Sequence, residues 1–149
     1  YRPRVAVLNN VSLDHKGMDE LRALFGGFLA AADTAVVNMD DAESRALAPA
    51  DGIGFGFDHD CAVRGSALSL SDEGSAFTVT AGGEQAEVRL AVAGRHNAGN
   101  ALAAIATARA VGVPLAQAAT ALGSFSGLKR RLETVGTAAG VTVIDDFAH

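Results

Sequence analysis

The 149-residue sequence predicts an α/β fold: a parallel-sheet βαβ portion, a small antiparallel β meander and flanking helices. Three observations predict it. A continuous apolar run, "RVAVLNNVS" (4–12), opens the chain in the manner of a parallel strand covered on both faces. Period-2 alternation with turn residues fills 52–92, as expected of antiparallel strands joined by tight turns. Helical patterns occupy 18–32, 97–112 and 114–123.

The elements follow in order. "MDELRALFGGFLAAA" (18–32) sets Leu21, Leu24, Phe25, Phe28 and Leu29 at helical spacing, so one face is predicted to be core. Its Gly26-Gly27 pair costs about 1 kcal/mol per glycine against alanine, which implies close packing or a bend. "TAVVNMDDAES" (34–44) reads as strand, then loop, completing a βαβ unit. From Gly52 to Val92, "GFGF", "SALSLSDEGSAFTVT" and "AGGEQAEVRLAV" read as an antiparallel meander, with turns at Asp72-Glu73-Gly74 and Gly82-Gly83. Helices return at 97–112 and 114–123, the second opened by Pro114 in the first turn. "RLETVGTAAGVTVIDD" (131–146) closes as a hairpin.

Composition narrows the function. Apolar residues make up 49% and charged residues 19%, which is globular rather than disordered. A net charge of −5 without a basic stripe argues against a nucleic-acid partner. No apolar run reaches the roughly 20 residues of a membrane span, and no signal peptide is visible, so a cytoplasmic location is expected. The single cysteine, Cys61, cannot form an internal disulfide and is expected to be a buried, inert thiol. With no initial methionine and a strand at each end, both termini read as cut from a longer polypeptide.

Four stretches carry hydrogen-bonding or charged side chains that chemistry could use. In "AVAGRHNAGNALAAIATARAVGVP" (91–114), Arg95, His96, Asn97 and Asn100 crowd the start of an alanine-rich helix. A side-chain amide can accept from adenine N6–H and donate to N7, and residues three apart share a helix face. Asn97 and Asn100 could therefore address one base, with His96 stacked beside them; equally, Asn97 could simply cap the helix. In "NNVSLDHKG" (9–17), Asp14 and His15 follow the first strand, where open α/β sheets collect ligands. They could meet a metal or phosphate, or Asp14 could cap the next helix. "FSGLKRRLE" (125–133) sets Lys129, Arg130 and Arg131 in a row, either a phosphate fork or a solvated edge. "VIDDFAH" (143–149) ends a strand in paired carboxylates suited to ribose hydroxyls or to a plain turn.

"GRHNAGNALAAIATARAVG", "FSGLKRRLE" and "VIDDFAH", in that order, resemble the ATP-dependent Mur ligases of peptidoglycan synthesis, as do "NNVSLDH" and "VVNMDD". The resemblance implies a central ATP-binding domain over 1–144, with 145–149 starting a hinge to a C-terminal domain. It further implies that His96, Asn97 and Asn100 hold adenine and that His15 contributes to a Mg²⁺ site. Arg131 matches an arginine at the nucleotide's phosphate and ribose, taken as catalytic, and Asp146 matches an acidic residue at the ribose. His149 would open a turn whose remainder lies beyond the sequence. In such ligases a carboxylate attacks the γ-phosphate of ATP, and an amine displaces phosphate from the acyl phosphate to leave an amide.

Two departures refine this expectation. The family's phosphate loop resembles G-x-x-G-K-[ST], whereas this sequence contains no Gly-Lys pair. The fold is thus expected to be truncated before that loop, which would lie ahead of Tyr1, leaving the fragment inactive alone. Several members carry a carbamylated lysine on the helix after the "DH" loop, but 18–32 contains no lysine. That fits the branch acting on UDP-N-acetylmuramate with L-alanine or with the tripeptide L-Ala-γ-D-Glu-diaminopimelate. "VLNN", "GLKRRLE" and Phe147 in "DDFAH" tilt the expectation to the tripeptide ligase of murein recycling. A non-catalytic nucleotide-binding module without a phosphate loop is the reading from a different class.

Overall fold

The computed structural model describes residues 2–13, 16–131 and 133–147. Strands β1 (Val5–Leu8), β2 (Thr34–Asn38), β3 (Ile53–Gly56), β4 (Val63–Ser71), β5 (Gly74–Ala81) and β6 (Glu84–Leu90) form one sheet in sequential order. Helices α1 (Met18–Ala30) and α2 (Ala42–Ala46) connect the first three strands. Helices α3 (Arg95–Ala110) and α4 (Leu115–Leu122) follow the sheet, and β7 (Glu133–Ala138) with β8 (Val141–Asp145) makes a separate antiparallel pair.

Alternation along the first strands sorts side chains to two cores. In β2, Ala35 and Val37 join Ala6 and Leu8 of β1 against Leu21 and Leu29 of α1. Val36 points the other way, into a larger core with Phe55, Phe77, Val79 and Val88 under Ala98, Leu102, Ile105 and Ala106 of α3. The two-sided covering explains why "VAVL" and "AVV" are continuously apolar, as parallel strands between helices must be. The alanine-rich body of α3 lets its backbone lie close to the sheet, with Ala98 and Ala106 fully buried.

Some expectations change in detail. Strand β3, read within the antiparallel meander, instead pairs parallel with β2 and with β4. Parallel neighbours usually need a long crossover, but β3 and β4 overlap only at Phe55↔Val63 and Gly56↔Arg64. The short 57–62 connection has little distance to retrace. The antiparallel meander proper is β4–β5–β6, its last turn formed by Gly82 and Gly83 at φ 59° and 81°, the backbone of a type I′ hairpin.

In α1, Leu24 is 53% exposed, and the core face runs through Leu21 and Leu29, with Phe25 and Phe28 partly buried beside them. A Cβ on Gly27 would meet nothing, and one on Gly26 only Leu47 at 3.8 Å, so neither glycine is required by close packing. Pro114 occupies the N-cap of α4, one position before the first turn. Among the described residues, no helix is long and apolar enough to cross a membrane.

Candidate functional site

The carboxyl ends of β1, β2 and β3 lie at one edge of the sheet, and the first turn of α3 meets them there. This is where open α/β sheets place ligands. Asn9 follows β1, Asn38 ends β2, and Phe57 and Asp58 follow β3. Across from them, Arg95 pairs with Asp58 at 2.6 Å and lies over the Phe57 ring, 5.2 Å from its centroid.

Side-chain amides stitch this edge together. Asn38 accepts from the Asp40 N–H at 2.9 Å and donates through Nδ2 to the Asn9 carbonyl at 2.8 Å. Asn9 donates through its own Nδ2 to Oδ1 of Asn100 at 3.2 Å. Asp41 accepts from the Val11 N–H at 3.3 Å and caps α2 by accepting from Ser44 N–H at 2.8 Å. The loop after β1 is therefore anchored at Asn9 and Val11 by residues that end or follow β2.

The helix start differs from the simple capping expectation. Gly94, at φ 104°, is the N-cap of α3 and supplies no side chain. Asn97 sits inside the first turn and donates through Nδ2 to the Ala93 carbonyl at 2.7 Å. His96 is exposed, its ring folded back beside Gly94. His96, Asn97 and Asn100 are thus brought together on one helical turn, as the sequence led one to expect.

Asp40 is the electrostatic anchor between β2 and β3. It accepts from Phe57 N–H at 2.7 Å, from Asp58 N–H at 3.0 Å, and lies 3.3 Å from His59 Nδ1. Partial burial works against its charge, but these hydrogen bonds win and hold the carboxyl below its ordinary range. Cys61 is half-buried rather than fully buried, with Sγ directed at the carbonyls of Val63 and Gly56. Burial, then the nearby Asp40 charge, pushes its thiol up to about 11, so it stays protonated and unreactive at neutral pH.

Arg131 and Asp146 fall in a second group, at the base of the β7–β8 hairpin. Arg130, at φ 59°, accepts at its carbonyl from Phe147 N–H at 2.8 Å, and its guanidinium lies 4.8 Å from the Phe147 ring centroid. Arg131 is exposed beside that clasp, and Asp146 directly follows the end of β8. The segment leading there passes the connection between β6 and α3, since a Cβ on Gly127 would approach Val92 at 3.3 Å.

Asp14, His15 and His149 lie outside the described residues. Among those described, no group of three or more His, Cys, Asp or Glu could hold a metal ion. The described residues therefore bring two carboxamides, Asn97 and Asn100, to one helical turn at this edge. Asn9, Asn38, Asp40 and Asp41 were missed by sequence reasoning. Their one signal was position, directly after strands that end at the same sheet edge.

Comparison with known proteins agrees with this architecture. The Mur ligase middle domain model matches residues 1–108. UDP-N-acetylmuramate–L-alanine ligase of Streptomyces coelicolor is 38% identical over 163 residues, covering 100% of this chain and 35% of the relative. UDP-N-acetylmuramate–L-alanyl-γ-D-glutamyl-meso-2,6-diaminoheptandioate ligase of Escherichia coli is also 38% identical, over 162 residues, covering 100% and 34%. The crystal structure of UDP-N-acetylmuramate–alanine ligase from Thermotoga maritima superposes with a TM-score of 0.85 at 27% identity, covering 100% of this chain and 36% of that one. The chain spans about a third of the length of the curated relatives it matches.

Proposed function

Because the chain belongs to the Mur ligase family, through that family's middle domain, we propose that it is the central nucleotide-binding part of an ATP-dependent amide-forming ligase acting on UDP-N-acetylmuramate. The observation that carries this reading is the first turn of α3. Asn97 and Asn100 stand there three residues apart on one helical turn, and Asn100 meets Asn9 at the carboxyl end of β1. Carboxamides at that spacing suit the N6 and N7 edge of adenine, and His96 is exposed beside them.

In this reading ATP supplies a phosphoryl group to the substrate carboxylate, and an amine then displaces phosphate. Residues 1–144 orient the nucleotide, and 145–149 begin the hinge to a further domain. Arg131, at the hairpin base, supplies a fixed fork of donors for phosphate, and Asp146 reaches the ribose. His15 is the proposed Mg²⁺ contact. The amine is the tripeptide, a reading supported by "VLNN" and "DDFAH" and by the Escherichia coli relative. L-alanine is the second reading, favoured by the Streptomyces relative at the same identity.

The test is ADP formation by the full-length protein from ATP and UDP-N-acetylmuramate, with tripeptide or L-alanine as the amine. Turnover with tripeptide alone is the expected outcome. Turnover with L-alanine alone keeps the nucleotide site and replaces the amine. ATP binding without turnover in either tube favours a non-catalytic nucleotide-binding module. The 149-residue chain alone, which has no Gly-Lys pair to seat phosphates, is expected to release no phosphate.

A further inference from the structure

We propose that Asn9 is a positioning residue that fixes the Asn100 carboxamide with its nitrogen outward, as a hydrogen-bond donor to purine N7. The inference rests on the nucleotide reading above and adds a residue to it. Each carboxamide on α3 has one end already occupied. Asn97 turns Nδ2 to the Ala93 carbonyl at 2.7 Å, leaving Oδ1 as the atom that can accept from a base. Asn100 receives the Asn9 Nδ2 on Oδ1 at 3.2 Å, leaving Nδ2 as the atom that can donate. One acceptor and one donor, three residues apart on a helical turn, are the complement of adenine N6–H and N7. The pairing is divided between two side chains, each oriented from behind.

Asn9 is itself well placed to orient another side chain. It leaves β1 directly, and its backbone carbonyl is held by Asn38 Nδ2 at 2.8 Å. Asn38 is held in turn through the Asp40 N–H at 2.9 Å. The anchor acts on the Asn9 backbone, so replacing its exposed side chain leaves the loop attached to β2. Without the Asn9 donor, no other hydrogen bond among the described residues distinguishes the two ends of the Asn100 amide, and either can face the base. An aspartate at position 9 accepts and cannot donate when ionised, so it turns Asn100 Nδ2 inward and presents Oδ1 to N7.

The experiment measures binding of ATP and of 7-deaza-ATP, which lacks the N7 acceptor, to the full-length protein and to Asn9→Ala, Asn9→Asp and Asn100→Ala. The readout is the ratio of the two dissociation constants. General effects of added charge or altered folding cancel in that ratio. The unaltered protein should prefer ATP by about threefold to tenfold, the range of one net hydrogen bond. All three variants should bring the preference below twofold, with Asn9→Asp the lowest of the Asn9 pair. A preference kept in both Asn9 variants but lost in Asn100→Ala overturns the positioning role and leaves the nucleotide reading standing. An unaltered protein that binds both nucleotides equally overturns the N7 contact, and one that binds neither overturns the nucleotide reading along with it.

Discussion

Asp40, two residues past β2, takes the Phe57 N–H at 2.7 Å and the Asp58 N–H at 3.0 Å, so one carboxylate joins β2 to the exit of β3. Phe57 and Asp58 are also the residues that hold Arg95 at the start of α3. The clasp thus supports the sheet edge on which the nucleotide reading depends.

The first prediction concerns pH. The folded carboxyl of Asp40 lies below its ordinary value of 3.8, because these N–H donors and His59 outweigh partial burial. A depressed carboxyl contributes stability that is fully present above the ordinary value and is lost as pH falls through the folded one. Asp40→Ala is expected to destabilise the protein by about 1–3 kcal/mol near neutrality, as for charged hydrogen bonds left without a partner. The difference between the two proteins in urea unfolding should shrink below about pH 4. A difference that stays constant down to pH 2 would place its origin in packing instead.

Gly56 provides a second prediction from the same contact. A Cβ there would lie 2.6 Å from Asp40 Oδ1 and 2.9 Å from its Cγ. Gly56→Ala must displace the carboxylate, and overpacking of this kind costs about 1–3 kcal/mol. In an Asp40→Ala background most of that penalty should vanish, because the obstructing atoms are gone. A double-mutant cycle on thermal unfolding reads the coupling directly. Additive effects would refute a steric origin.

How much of this was legible in the sequence depends on range. The two-sided strands announced themselves through continuous apolar runs, and the Gly82-Gly83 turn through its demand for positive φ. Asn97 and Asn100 were visible because helical periodicity alone puts them on one face. The parallel pairing of β3 was not visible, since a four-residue strand with turn residues on both sides reads the same in either direction. Nor were Asn9, Asn38 and Asp40, whose roles arise only when three separate strand ends meet. An asparagine between a strand and a loop has many ordinary uses, and no local pattern says which neighbour it will find.

The hairpin supports a third prediction. Val135, Val143 and Ile144 are 65%, 56% and 55% exposed, and among the described residues β7 and β8 pair only with each other. A lone two-stranded ribbon is marginal in water, whereas Val79 of β5 is fully buried between two partners. Hydrogen exchange on the 149-residue polypeptide should therefore show β7 and β8 amides exchanging at least about a hundredfold faster than those of β5, a gap of roughly 3 kcal/mol in opening free energy. Equal protection would mean that the hairpin is stabilised by contacts beyond its own ladder.

Arg131 gives the last prediction, and it separates fork geometry from charge. The residue is exposed next to the clasp in which Arg130 accepts from Phe147 N–H and covers the Phe147 ring. The clasp sets the backbone from which Arg131 extends, and Arg130 is committed to it. If Arg131 grips phosphate through two parallel N–H donors, lysine restores the charge but not the fork. In the full-length protein, Arg131→Ala should lower kcat/KM for ATP by at least about tenfold, the equivalent of 1.4 kcal/mol. Arg131→Lys should recover less than a third of the loss on a logarithmic scale. Arg130→Ala should instead loosen the hairpin base, seen as faster exchange at Phe147, with a smaller effect on kcat/KM. Full recovery by lysine would leave Arg131 only a general electrostatic role, because a point charge on a flexible stem would then serve as well as the planar fork.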